Sequence, residues 1–270
     1  MKRIGTIGLG VVVAMAAVSA AAFAQTPNPA LASIKTRIFN DCPFSTVSTT
    51  NTYPSSIVIS DASTVVSCSG FTNFHGWSLS DDGTNETAFP NNSAFSLECD
   101  VEADGITDGE VGLRFAPWFS PDADGLFNCR TTDGEIACFG GRLPFYSFTA
   151  AYGLHYVKGT PIHLKMEYHQ NGLSALTPAT IEYTVTYGSG TYSSGRLNYD
   201  EGNPTEDPPH GLWGCLNYAF VGGQFKAYSG GGVLPTGLTA TWSNINYQNL
   251  DNQPVPTRVS SWGHVKQIYR

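Results

Sequence analysis

The sequence predicts an all-β chain, an antiparallel two-sheet sandwich of the jelly-roll kind held by disulfides, on three observations. Apolar and polar residues alternate with period two in four stretches. No window longer than about ten residues in the main part of the chain has helical periodicity. Asp-Gly pairs at 82–83, 104–105, 124–125 and 133–134 punctuate the strands.

The N-terminus comes first. Lys2 and Arg3 precede an uncharged run from Ile4 to about Ala20, and Ala22-Phe23-Ala24 stands before Gln25. That is the charged, apolar and small-residue pattern of a cleaved signal peptide, so export is expected, with residues 1–24 removed. The apolar run falls short of the ~20 residues a spanning helix needs, and no later segment reaches 18 uninterrupted apolar residues. No membrane span is expected, and the protein is read as secreted or held at the cell surface. Residues 25–36 form a lead-in, 37–250 one β domain, and 251–270 a linker and short tail. About 220 residues without a composition break fit a single large sandwich.

The four alternating strands follow in chain order. Phe95, Leu97, Cys99 and Val101 make one apolar face opposite Ser96, Glu98, Asp100 and Glu102. Ile162, Leu164, Met166 and Tyr168 oppose His163, Lys165, Glu167 and His169. Ile181, Tyr183, Val185 and Tyr187 alternate with Thr180, Glu182, Thr184 and Thr186, and Leu238, Ala240 and Trp242 repeat the pattern near the end. Between the first two, a hairpin can be registered by taking Asp133-Gly134 as a two-residue turn. Thr132 then pairs with Glu135, and Cys129 falls opposite Cys138 at a non-hydrogen-bonded position, within disulfide reach.

All six cysteines (Cys42, Cys68, Cys99, Cys129, Cys138, Cys215) lie beyond the cleavage site, an even number in an oxidising compartment, so disulfides are expected. Cys129–Cys138 comes from the hairpin; Cys42–Cys68 and Cys99–Cys215 follow only by elimination and sequence proximity. No Cys-x-x-Cys spacing occurs, so no metal site and no cofactor is expected. Asp122-Ala123-Asp124-Gly125 and the carboxylates from Asp104 to Glu110 offer calcium chemistry, but Asp-Gly is also the ordinary way to turn a hairpin. Without Lys2 and Arg3 the 14 basic residues fall to 12 against 22 acidic, a net charge of −10. Capture of nucleic acid is disfavoured on that balance, and a polysaccharide or glycan partner suits it better.

Chemistry is carried most sharply by Glu98-Cys99-Asp100-Val101-Glu102. A period of two sets three carboxylates on one face, and clustered carboxylates repel, so that one can stay protonated as a general acid. These residues resemble the Glu-x-Asp-x-Glu strand motif of the laminarinase, licheninase and xyloglucan-modifying enzymes. The resemblance implies Glu98 as nucleophile, Asp100 as the residue tuning it, and Glu102 as acid/base. The carboxyls of a retaining pair stand about 5 to 5.5 Å apart, whereas residues i and i+4 of a strand are roughly 13 Å apart at Cα. A longer stretch, about 37–248, is similar to secreted bacterial proteins of the concanavalin A-like lectin/glucanase superfamily. It is carried by Phe39-Asn40-Asp41-Cys42-Pro43, by Thr131 to Gly141, by Leu143-Pro144-Phe145-Tyr146 and by Ala240-Thr241-Trp242-Ser243-Asn244-Ile245. That resemblance implies the fold; jelly rolls host lectins, hydrolases, lyases and adhesive modules alike.

Sugar recognition needs aromatic faces and polar groups. Trp118, beside Pro117 in a loop-like stretch, is the exposed ring expected to stack on a sugar; Phe119, Phe145, Tyr146, Tyr152, Tyr156, Trp213 and Tyr218 are further candidates. His163 and His169 with Tyr168 suggest a lyase base, but Tyr168 points to the opposite face from both. The Pro-rich acidic segment Asn203 to His210 could rim a cleft, and Trp262, Val265, Ile268 and Tyr269 in the tail have roughly helical spacing, in a segment similar to short Trp-Gly tails of exported bacterial proteins. The function expected is a secreted, lectin-like carbohydrate-binding protein. The alternatives are a retaining glycoside hydrolase of endo-β-glucanase type, and a structural or adhesive surface protein. Oligomeric state is left open.

Overall fold

The computed structural model describes residues 25–39, 42–64, 70–116, 125–140, 143–199, 213–215, 219–229 and 234–251. In chain order the first strands are β1 (Leu31–Phe39), β2 (Thr46–Thr52), β3 (Ser56–Ser63), β4 (Gly70–Ser80), β5 (Ala88–Phe89), β6 (Ala94–Gly105), β7 (Gly109–Ala116) and β8 (Leu126–Arg130). There follow β9 (Ile136–Phe139), β10 (Tyr146–Ser147), the short helix α1 (Phe148–Tyr152), β11 (Ile162–His169), β12 (Thr180–Tyr187), β13 (Gly190–Asn198), β14 (Ala219–Ser229) and β15 (Thr236–Asn249). The first strand starts at Leu31, ahead of the domain start expected at residue 37. Among the described residues no helix is long and apolar enough to cross a membrane.

The strands form two antiparallel sheets. Sheet A runs β1-β4-β14-β7-β8-β9-β10, with β5 also on β14, and sheet B runs β13-β12-β11-β6-β15-β3-β2. Neighbours that are distant in sequence, such as β4 with β14 and β6 with β15, make this the jelly-roll sandwich that the superfamily resemblance implied. The four strands legible in the sequence are consecutive in sheet B, as β12-β11-β6-β15. Their apolar sides, including Leu97, Val101, Leu164, Ile181 and Trp242, are fully buried against sheet A.

At the centre Trp77 and Trp242 meet edge to face at 6.3 Å, a favoured arrangement of ring quadrupoles. Gly223 makes room for them, since a Cβ there would stand 2.2 Å from Trp77 Nε1. At one end a polar knot is buried. His75 Nδ1 accepts from Arg37 N–H, so its Nε2 carries the proton and donates to Asp61 at 2.8 Å. Asn73 Nδ2 donates to Asp61 at 2.7 Å and to Ser45 Oγ at 2.6 Å. Burial pushes the Asp61 carboxyl up, but the hydrogen bonds from His75, Ser45 and Asn73 together hold it below its ordinary value.

The hairpin register differs from the sequence expectation. Arg130 N–H donates to Glu135 O, and Gly134, at φ 76°, donates to Arg130 O. The connection is therefore a four-residue loop, 131–134, with glycine in the left-handed position, and not a two-residue Asp-Gly turn. The Arg130 guanidinium binds Asp133 and Glu135, which stabilises the wider loop. Cys129 consequently pairs with Ile136 and Cys138 with Phe127, two residues out of the expected register. Both sulfurs point into the core as free thiols, and Cys99 is likewise a buried free thiol, so neither the Cys129–Cys138 nor the Cys99–Cys215 bridge forms. Cys68, the expected partner of Cys42, lies outside the described residues.

Candidate functional site

Two polar faces are available, one on the outside of each sheet. On sheet B the carboxylate strand β6 lies between β11 and β15, the middle of seven strands. Register sets Asp100 opposite His163 and Glu98 opposite Lys165. His163 Nδ1 is 2.8 Å from Asp100 Oδ1, and its Nε2 is 3.8 Å from Glu98 Oε2. A bulge in β15 between Ser243 and Asn246, with Asn244 at φ 52°, turns two amides to the same face. Asn244 Nδ2 donates to Asp100 at 2.7 Å and Asn246 Nδ2 to Glu98 at 2.8 Å.

The structure thus joins Glu98 and Asp100 through one imidazole and does not join Glu102 to them. Glu102 sits opposite Thr241, two strand positions past Asp100. Of the lyase-base residues, Tyr168 is buried in the core, while His163 and His169 are on the outer face. His169 donates to Glu167 at 2.6 Å, and this bond, with that from Lys165, lowers the Glu167 carboxyl to about 2.

On sheet A the outer face has a different character. Lys35, Gly76, Gln224, Gly112 and Asn128 stand in one cross-strand row, and Ser33, Ser78, Gly222, Arg114 and Leu126 in the next. Outward residues of a solvated sheet are exposed, yet here Gln224, Arg114 and Asn128 are 0%, 1% and 3% exposed. This face is a shielded trough. The β4–β5 connection supplies part of the shield, because Glu86 binds both Arg114, at 2.8 Å, and Lys35, at 3.5 Å.

Glycines form the trough's floor and let long side chains cross a whole strand. Arg114 passes over Gly222 to reach Ser78 Oγ at 2.8 Å. Gln224 passes over Gly112 to bring its Nε2 within 3.4 Å of Asn128 Oδ1. A Cβ at Gly112 would lie 1.9 Å from Phe127 O and one at Gly222 2.0 Å from Trp77 O, so neither position admits a side chain. Gln224 Oε1 is buried with no hydrogen-bond partner among the described residues. Farther along, Tyr228 donates to Glu110 at 2.8 Å, and burial, the largest cause, pushes its hydroxyl well above the ordinary tyrosine range. Lys226 lies 3.8 Å from the other Glu110 oxygen.

The residues of this face were not singled out from sequence. In β14, Gly222-Gly223-Gln224-Phe225-Lys226 does alternate, but the two adjacent glycines hide the period. Trp118, Phe119, Tyr218, Asp122, Asp124, the 203–210 segment and the tail lie outside the described residues. Of the acidic turn, Asp104 accepts from Gly105 N–H, while Asp108 is held by Lys158 and Thr131, the Lys158 bond doing most to lower its carboxyl. Among the described residues no group of three or more His, Cys, Asp or Glu is placed to hold a metal ion.

No family model matches the chain, and no curated protein does. Several solved structures are similar. An alginate lyase from Klebsiella pneumoniae is 10% identical, with a TM-score of 0.44 over 76% of this chain and 84% of that one. An alginate lyase of polysaccharide lyase family 7 is 10% identical, with a TM-score of 0.42 over 77% and 84%. The alginate lyase of a Chlorella virus is 12% identical, with a TM-score of 0.42 over 76% and 90%. These likenesses are remote. The chemistry of the site is read from this chain's own residues.

Proposed function

We propose that the protein is an exported, lectin-like carbohydrate-binding jelly roll whose ligand lies along the outer face of sheet A. The observation carrying this reading is Gln224 Oε1, a buried acceptor at the centre of that face with no partner among the described residues. Leaving such an atom unsatisfied costs about 1–3 kcal/mol, and a hydroxyl donor from a ligand would recover it. The neighbouring Asn128 amide adds a second donor and acceptor, and glycines at 76 and 112 leave the two positions flanking Gln224 in its own row without side chains. Binding sites of this kind combine a recessed floor with a few polar groups that fix orientation.

Binding without cleavage is favoured over glycoside hydrolysis. Glu98 and Asp100 are each occupied by an asparagine amide and face one histidine, and Glu102 stands apart from them. A retaining mechanism needs two carboxyls about 5 to 5.5 Å apart across the sugar. The test is a binding and reducing-end assay of the purified protein on a panel of neutral and acidic polysaccharides, with Gln224→Met, Glu98→Gln and Glu102→Gln. Binding without new reducing ends, lost in Q224M and retained in E98Q and E102Q, is expected. Cleavage abolished by E98Q and E102Q would establish the hydrolase instead, and no binding to any polysaccharide would favour the structural or adhesive role.

A further inference from the structure

The four sheet edges are not protected alike. An edge strand presents unpaired N–H and C=O groups, and proteins blunt such edges with charges, bulges or very short strands. In sheet A, β1 carries Lys35 and Arg37 and a register shift between Lys35 and Phe39, and β10 is two residues long. In sheet B, β13 carries Arg196, has Gly195 at φ 66°, and faces a register shift between Glu182 and Thr184. The fourth edge, β2, has none of these devices. Its sequence Thr-Val-Ser-Thr-Thr-Asn-Thr holds no charge, glycine or proline, and it runs in unbroken register with β3 from Thr46 to Thr52. Six of its seven residues are exposed, and no described strand lies beyond it.

Charge is distributed to match. On the outer face of sheet B, Glu98, Asp100, Glu102, Glu167 and Glu182 all belong to β6, β11 and β12. The outward residues of β3, Ser56, Val58, Ser60 and Ala62, and those paired with them on β15, Ser243, Thr241, Thr239 and Gly237, are neutral. Two copies of a chain with a net charge of −8 repel, and this half of sheet B is where they can meet without bringing carboxylates together. Beside the strand, Phe44 is 73% exposed at its start, while half-buried Tyr53 follows its end.

We propose that β2 is a self-association edge, pairing antiparallel with β2 of a second copy about a two-fold axis at Thr49, so that the two sheets B become one continuous sheet. Thr46 then meets Thr52 and Ser48 meets Thr50, combinations of Thr and Ser that stabilise antiparallel pairs, while Val47 meets Asn51. The same pairing carries Phe44 of one copy toward the Tyr53 end of the other, covering an exposed ring. Such an interface is isologous and closes at two copies.

Sedimentation equilibrium of the purified chain, from dilute to concentrated solution, tests this. Wild type and Thr49→Val are expected at twice the single-chain mass when concentrated. Thr49→Lys and Thr50→Lys, which set like charges across the axis at exposed positions, are expected to remain at single-chain mass with unchanged circular dichroism. A wild-type protein that stays monomeric at the highest concentration, or a dimer that persists in both lysine variants, overturns the proposal. Should a lysine variant not fold, hydrogen exchange of the wild type decides: β2 amides protected only in concentrated solution support self-pairing, and protection independent of concentration refutes it.

Discussion

Replacing Gln224 by methionine separates the contribution of that side chain to binding from its contribution to stability. The residue is fully buried, and among the described residues its Oε1 has no partner and its Nε2 makes one long hydrogen bond, 3.4 Å, to Asn128. An unsatisfied buried polar group costs about 1–3 kcal/mol, and an ordinary hydrogen bond contributes a net ~0.5–1.5 kcal/mol, with a bond this long at the weak end. Methionine has nearly the same length and removes the open acceptor, at the expense of leaving Asn128 Oδ1 short of one donor. The unliganded folded state should gain about 1 kcal/mol, which for a domain of this size raises Tm by about 2–4 °C. Saccharide affinity should fall at least tenfold, the equivalent of about 1.4 kcal/mol. Scanning calorimetry without ligand and titration calorimetry with it measure the two effects. A Q224M protein that melts several degrees below wild type while binding as well as wild type would refute the assignment of Gln224 to the site.

Other outcomes follow from the same structure. Because Gln224 is shielded, ligand association in stopped-flow should be slower than the ~10⁵–10⁷ M⁻¹s⁻¹ of preformed sites. Burial pushes the thiols of Cys99, Cys129 and Cys138 well above the ordinary cysteine range, so alkylation followed by mass spectrometry should modify them only after denaturation. Glu167 titrates near 2 in the folded protein, chiefly through its bond from His169, against about 4.3 when unfolded. Its contribution is present above the unfolded value and lost as pH falls toward 2, so wild-type Tm should drop more steeply between pH 4.5 and 2 than that of Glu167→Gln. Trp242 is fully buried and donates to Gly112 O at 3.0 Å, beneath the trough floor; Trp242→Ala should cost about 3–5 kcal/mol in a urea titration.

The part of the fold that was legible in the sequence is sheet B, and the reason is solvent. In β11 and β12 one face is buried and the other is wet, so residues alternate as a half-buried strand requires. Sheet A is shielded on its outer side as well: four of the five residues of β8 are buried, and Arg114 and Gln224 are buried on the face away from the core. A strand covered on both faces loses its period, and with it the signal that would have pointed to the trough. The carboxylate triplet showed the opposite bias, being conspicuous because it lies on the wetter sheet. There the pairing of Asp100 with His163 could have been found by aligning two of the alternating strands, but the β15 bulge that supplies Asn244 and Asn246 has no such signature. The hairpin failed for a local reason, since Asp-Gly fits both a two-residue turn and the end of a four-residue loop, and Arg130 decides for the latter.

Side-chain amide NMR of the protein during titration with an oligosaccharide selected by the binding panel offers the most direct examination of the sheet A site. The Gln224 and Asn128 amide resonances, assigned from Gln224→Met and Asn128→Leu spectra, should shift together and saturate with the binding isotherm, while Asn244 and Asn246 stay in place. Shifts confined to Asn244, Asn246 and His163, with Gln224 and Asn128 unmoved at saturation, would contradict a ligand on sheet A and place it on the carboxylate face.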